Sequence, residues 1–249
     1  MKVKVLTIDW DYLFKASREV RDNNFPEIED GELNYLPDNS MWISSCAWNS
    51  DHSFDIEAYK QLFCAMCISN YNGFAVSENH GEVANFIDYI KSLSSSIELE
   101  VTNIDYHHDY SYSGSHPRCD NWARIVAEKY PDTKLLWCKR EDSVTTSFGV
   151  EVPVEDVSFE NILENLKSGY YQYVHICRSD LYSPPLNVSD DAFYNIVGMM
   201  YSRSPKDFAG HKNSVWGYQI QERYEVVEEY SDLYKRVNNN EKSKTEKNH

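Results

Sequence analysis

Asp105, His107 and Asp109 stand at alternate positions in Asn103-Ile104-Asp105-Tyr106-His107-His108-Asp109. Alternate residues of an extended segment share a face, so two carboxylates and an imidazole would converge on one small volume. Carboxylates that close repel unless a cation sits between them. A mixed oxygen and nitrogen set suits manganese, iron or zinc better than calcium or a thiolate-bound metal. The plain alternative is a polar strand end whose side chains cap nearby backbone. Two other stretches bear on the choice. Asp9-Trp10-Asp11 supplies a second carboxylate pair at the same spacing, and Glu78-Asn79-His80 supplies a second imidazole. Asp9, Asp11, His80, Asp105, His107 and Asp109 together suit two divalent ions that share a carboxylate and a water, whose proton would leave near neutral pH. One zinc ion needs only three or four of these groups and would leave the rest as uncompensated negative charge.

Each group follows a stretch that reads as a strand. Val3 to Ile8 is apolar and β-branched, Phe74 to Ser77 is short and apolar, and Ile97, Leu99, Val101 and Ile104 lead into Asp105. Further strands are predicted at Lys134–Cys138 and Tyr173–Cys177. Helices are predicted at Asp55–Ser69, Glu82–Leu93, Asn121–Tyr130, Ser158–Leu166 and Asp190–Tyr201, with Asp55 and Ser158 as caps. Strands that alternate with helices imply an α/β fold, a parallel sheet covered on both faces. Ligands of such sheets bind at the carboxyl ends of the strands, where all three polar groups would meet. A single domain is expected over 1–237. Residues 22–55 form an irregular insertion or lid with a short helix near Ser44–Trp48, and 238–249 a disordered tail.

Composition excludes several classes. Lys and Arg total 24 against 40 Asp and Glu, a formal charge of −16. That argues against nucleic acid, whose phosphates need a basic face, and is compatible with a cationic substrate. There is no G-x-G-x-x-G, Walker loop or G-x-S-x-G. No stretch is long and apolar enough to cross a membrane, and the N-terminal Met1 to Ile8 reads as a first strand rather than a signal peptide. The six cysteines are scattered. Cys64 and Cys67 fall within a helical pattern, so core cysteines in a reducing cytoplasm are expected.

Asp105-Tyr106-His107-His108-Asp109 resembles the Asp-x-His-x-Asp signature of arginases and agmatinases, and Thr7-Ile8-Asp9-Trp10-Asp11-Tyr12-Leu13 resembles their Ser/Thr-Ile-Asp-x-Asp-x-Leu strand end. His80 matches the separate histidine of the arginase metal set. The order departs from ordinary arginases, in which the Asp-x-Asp element comes late. It is similar to that of a shorter, divergent arginase-related branch. There an N-terminal Ile-Asp-x-Asp is followed by Glu-x-His, Asp-x-His-x-Asp, Asn-Trp and a late segment before Pro-Pro, here Glu78-Asn79-His80, Asn121-Trp122 and Cys177-Arg178-Ser179 to Pro185. The resemblance spans about residues 3 to 200. It implies a three-layer α/β/α sandwich of the arginase/deacetylase type, two Mn²⁺ ions, and hydrolysis of a guanidino group with release of urea. The branch includes peptide arginases, which convert arginine to ornithine in ribosomally made precursor peptides. The flank Tyr110-Ser111-Tyr112-Ser113-Gly114-Ser115 is unlike the loop that holds free arginine, which favours an arginine-containing peptide as partner.

Asp105, His107, Asp109 and Glu78 are the catalytic candidates. Glu78 would partner His80 or anchor a guanidinium, with a surface carboxylate as the alternative. Asn121, Trp122 and Asp180 are candidates for substrate contact, although helix-start packing explains the first two equally and the resembling branch often has proline at the third place. His108 should face away from His107, and Arg178 reads as a buried ion-pair partner. The rival readings are a zinc-dependent deacetylase on the same fold and a non-catalytic binding protein for basic peptides.

Overall fold

The computed structural model describes residues 1–24, 52–179, 182–183 and 186–203, all within one unit, Met1–Phe208. Most of the expected lid, the helix near Ser44–Trp48, Asp180, the domain limit at 237 and the tail lie outside the described residues.

Ten short to medium strands occur among these residues: β1 Lys2–Asp9, β2 Phe14–Ala16, β3 His52–Phe54, β4 Gly73–Ser77, β5 Glu98–Ile104, β6 Lys134–Cys138, β7 Thr146–Ser147, β8 Val150–Glu151, β9 Glu155–Asp156 and β10 Tyr173–Cys177. Six form one sheet in the order β4-β10-β1-β5-β6-β9, and every pair in it is parallel. Helices Val83–Ser92 and Trp122–Lys129 pack together, as do Ile56–Ile68, Phe159–Lys167 and Asn187–Arg203. The result is the expected three-layer α/β/α sandwich.

β1 lies at the centre because its sequence suits burial on both faces. Val3 and Val5 are buried, and from Val5 to Asp9 no residue is more than marginally exposed. Val83, Phe86, Ile87 and Ile90 of helix Val83–Ser92 pack with Val3, Val5, Leu99 and Val101 of the strands and with Trp122 and Val126. Asp55 and Ser158 cap their helices as expected, accepting from Ala58 N at 3.2 Å and Asn161 N at 3.2 Å. The last helix begins at Asn187, earlier than Asp190.

The register levels the strand ends. Ile8 pairs with Ile104 and with Ile176, Asp9 with Cys177, and Cys177 with Ser77. The residues that follow β1, β4, β5 and β10 therefore emerge side by side. Among the described residues, no helix is long and apolar enough to cross a membrane.

Candidate metal centre

A different local device positions each acidic side chain. Asp9 ends β1, and a turn of 3₁₀ helix at Trp10–Leu13 brings Asp11 back beside it, with Asp11 N donating to Asp9 Oδ1 at 3.4 Å. His80 opens a 3₁₀ turn after β4, where Asn79 Oδ1 accepts from Gly81 N at 2.8 Å. That turn is tight against the loop opposite: a Cβ on Gly81 would lie 2.8 Å from the Arg118 backbone. Here only glycine fits.

The Asp105–Asp109 segment corrects the expectation of extended geometry. β5 stops at Ile104, His107 N donates to Asp105 Oδ1 at 2.7 Å, and Asp109 adopts a positive φ of 50°. The side chains converge through an Asx-type turn rather than by strand alternation. The paired histidines take different partners, though both line the same cavity. His107 Nδ1 lies 3.0 Å from Asp11 Oδ2, while His108 packs edge-on against Trp137 and accepts from Tyr110 N at 2.8 Å.

Two groups result, each with ligand atoms within 4.8 Å of one another: Asp9, His80, Asp105 and Asp109, and Asp11, Asp105 and His107. Asp105 belongs to both. His80 Nδ1 faces Asp9 Oδ2 at 3.1 Å, Asp105 Oδ2 at 3.2 Å and Asp109 Oδ2 at 2.7 Å. Yet His80 Nδ1 and both carboxylate oxygens of Asp11 are buried without a hydrogen bond. Arg21 Nη1 stands 3.7 Å from Asp11 Oδ2, and its guanidinium lies over the Tyr106 ring. One guanidinium cannot balance four buried carboxylates, so the arrangement fits divalent cations.

A buried relay behind His80 strengthens that fit. Ser77 Oγ donates to Asn79 O at 2.9 Å, so it accepts from His175 Nε2 at 3.0 Å. Burial, with the nearby charge of His80, holds His175 well below its usual pKa, so it is neutral and its Nδ1 is a bare acceptor. Thr7 Oγ1 therefore donates to His175 Nδ1 at 3.1 Å and accepts from His80 Nε2 at 2.8 Å. His80 is fixed with its Nε2 protonated and its Nδ1 turned to three carboxylates. That nitrogen must carry either a proton or a metal.

Without metal, protons fill the cluster. Burial and the charge of Asp11 push Asp9 up to about 7. Burial, with the charge of Asp105, holds Asp109 well above the ordinary carboxylate range. Burial opposes charge on His80 and His107, but the carboxylates of Asp9 and Asp109, and of Asp11 and Asp105, outweigh it and raise both. Asp105, despite burial, is held low by the His107 and His80 imidazoles beside it.

The carboxylates are also anchored from outside. Trp122 Nε1 donates to Asp109 Oδ2 at 2.6 Å, Asn103 Nδ2 to Asp105 Oδ2 at 3.0 Å, and Ser179 Oγ to Asp9 Oδ2 at 3.0 Å. Trp122 is thus a support of a ligand and not a substrate contact. Asn121 is corrected likewise. It is fully buried and spends its amide on Ser113 O at 2.9 Å, His116 O at 3.1 Å and Arg118 N at 2.8 Å, folding the loop that precedes its helix. Glu78 joins neither group: its buried carboxylate pairs with Arg178 Nε at 3.3 Å, and Arg178 also reaches Asp190 at 3.4 Å. Arg178 is the buried ion-pair partner expected. Cys64 is exposed rather than in the core, and Cys67 is half-buried.

A cavity of about 310 Å³ opens onto Asp9, His107 and Asp109. Its walls include Tyr106, His108, Asp120, Tyr182 and the hairpin residues Thr146 to Phe148. Asp120 accepts from Ser113 Oγ at 3.0 Å and faces Arg118 Nε at 3.3 Å. The size suits a small ligand or one side chain of a larger one.

Thr7, Arg21, His175, Ser179 and Tyr182 were not foreseen as parts of the site. His175 offered a signal, a histidine inside an otherwise apolar buried strand. Arg21 offered none, since its role depends on a helix, Arg18–Asn24, folding back on the turn after β1. Fold and site together define a three-layer α/β/α protein with a buried Asp/His cluster at the carboxyl edge of its sheet, fit to hold metal. Comparison with protein-family models, with curated proteins and with solved structures found no match.

Proposed function

We propose that this protein is a hydrolase of guanidino groups that works with two Mn²⁺ ions and converts an arginine within a peptide to ornithine, releasing urea. The observation that carries this reading is the sharing of Asp105 between two ligand groups, with both Asp11 oxygens and His80 Nδ1 left without hydrogen bonds. One group alone would serve a single ion, and the other would then be unexplained buried charge. The ligand set of carboxylates with imidazole and no thiolate suits manganese. The resemblance to arginase signatures points the same way.

Asp9, His80, Asp105 and Asp109 would hold one ion, and Asp11, Asp105 and His107 the other. When bound, the pair supplies Lewis acidity and lowers the pKa of water. Trp122, Asn103 and Ser179 keep the carboxylates oriented, and the Thr7–His175 relay keeps the His80 lone pair outward. The carboxylates along the cavity, Asp9, Asp109 and Asp120, attract a guanidinium and direct its carbon to the cluster. Water adds at that carbon, the bond from carbon to the side-chain nitrogen breaks, and the amine departs protonated, leaving urea. The cavity walls and the burial of the cluster limit bulk water there.

The test is metal analysis of purified protein, then incubation with Mn²⁺ and an arginine-containing peptide under mass spectrometry. Two manganese equivalents and a product about 42 Da lighter support the reading. One zinc equivalent, with turnover of an acetyl-lysine peptide that lacks arginine, would replace it with deacetylation. Absence of bound metal would leave a binding protein.

A further inference from the structure

The hairpin β7–β8 closes with a two-residue turn, Phe148-Gly149, with φ of 51° and 79°. Turns of this type favour Asn-Gly, because a positive φ at both positions brings the Cβ of a bulky residue too near its own backbone. Phe148 is also 80 % exposed. Its ring therefore contributes little to the fold, and its backbone conformation works against it. Val150, on the same hairpin, is 54 % exposed. Tyr112, 48 % exposed, donates its N–H to Ser147 Oγ at 3.3 Å, which ties the hairpin to the loop after Asp109. Three exposed apolar side chains, Phe148, Val150 and Tyr112, thus stand on this hairpin and the loop bonded to it. The hairpin is also a wall of the cavity that ends at Asp9, His107 and Asp109.

We infer that Phe148 forms an apolar subsite for the side chain that neighbours the target arginine in a peptide substrate. The inference rests on the hydrolase reading above and adds a sequence preference to it. A guanidinium drawn to the acidic end leaves the backbone of its peptide at the mouth, where the hairpin stands. An aliphatic or aromatic neighbour there would cover the Phe148 ring and lose its own contact with water, whereas a serine would gain little.

The test uses the full chain with Mn²⁺ and a pair of peptides that differ only beside the arginine, leucine in one and serine in the other. The wild type should turn over the leucine peptide with the higher kcat/KM. In Phe148→Asn the ratio of the two values should fall about tenfold. The melting temperature should hold or rise by about 2–4 °C, since asparagine suits the turn. Phe148→Gly, which also accepts the positive φ, should show the same loss of preference. A wild type without preference, or variants that keep it, overturns the subsite. Turnover of free arginine with neither peptide accepted overturns the subsite and leaves the hydrolase. Turnover of no guanidino compound by the metal-loaded protein overturns both.

Discussion

Thr7→Val probes the relay behind His80 with almost no change of shape. The hydroxyl it removes accepts from His80 Nε2 at 2.8 Å and donates to His175 Nδ1 at 3.1 Å, and all three residues are fully buried. Each imidazole nitrogen left unpaired costs about 1–3 kcal/mol, so the variant should lose about 2–6 kcal/mol of stability. For a chain of this size that is a fall of roughly 5–20 °C in Tm. The more specific effect is on metal. Released from Thr7, the His80 ring loses the contact that keeps its Nδ1 turned to Asp109 Oδ2 at 2.7 Å. An incoming ion then meets a nitrogen no longer held in place, and loss of such a support weakens binding about 10- to 100-fold. This corresponds to about 1.4–2.7 kcal/mol. Calorimetric titration with Mn²⁺ measures the affinity, and ¹⁵N spectra of histidine-labelled, metal-free protein report the hydrogen bond at His80 Nε2. Thr7→Ser keeps the hydroxyl and should keep both properties. Wild-type affinity in Thr7→Val, or equal weakening in Thr7→Ser, would refute the relay.

Asp105→Asn should abolish binding of both ions, whereas Asp11→Asn should spare one; elemental analysis after dialysis decides, and equal stoichiometry in the two variants would contradict the shared role of Asp105. Cys64→Ser and Cys67→Ser should leave metal content unchanged by the same measurement. Trp122→Phe removes the donor to Asp109 Oδ2 and should cost about 1.5–3 kcal/mol in denaturant unfolding, with weaker metal binding; unchanged Mn²⁺ affinity would mean that Asp109 needs no such anchor. The stability of the metal-free protein should fall as pH rises from about 5 to 8. Asp9 moves from 3.8 up to about 7 on folding, so the folded state holds the extra proton, and the stability this contributes is lost as pH rises through the folded value. Asp109, His80 and His107 are also raised and act in the same sense, against His175 and His108, which are depressed and act the other way. Asp105 is depressed and matters only in acid. A Tm measured in chelator that rises over this range would refute the assignment, and added Mn²⁺ should give its largest shift at the upper end.

The long elements were legible because each announces itself over several residues. Val3–Ile8 reads as a strand from its apolar run, and Asp55 and Ser158 mark helix starts with side chains that do cap them. The six candidate ligands were also legible, since residue type and position after a strand are both visible in the chain. What was hidden is geometry that depends on residues far apart. Alternation suggested that Asp105 to Asp109 stays extended, but local hydrogen bonding from the Asp105 carboxylate turns the chain at once. Asn121 and Trp122 looked like pocket residues because nothing in their own neighbourhood names a partner; loop carbonyls and Asp109 claim them. Glu78 was captured by Arg178, which lies on a distant strand end. The strands β2, β3, β7, β8 and β9 are too short for any period to register.

The position of β10 has a consequence for the order in which the molecule is built. β10 is inserted between β1 and β4, and among the described residues β4 pairs with β10 alone. The turn that carries His80 leaves from β4, so it gains a sheet to stand on only after Tyr173–Cys177 has been synthesised and has docked. Asp9, at the end of β1, and Asp105, just past the end of the adjoining β5, can meet earlier. During synthesis the carboxylates and His107 would therefore assemble before His80, and His175, which arrives with β10, would bring the support for His80 in the same step. A nascent chain that stops short of β10 therefore holds the carboxylates and His107 without a seated His80.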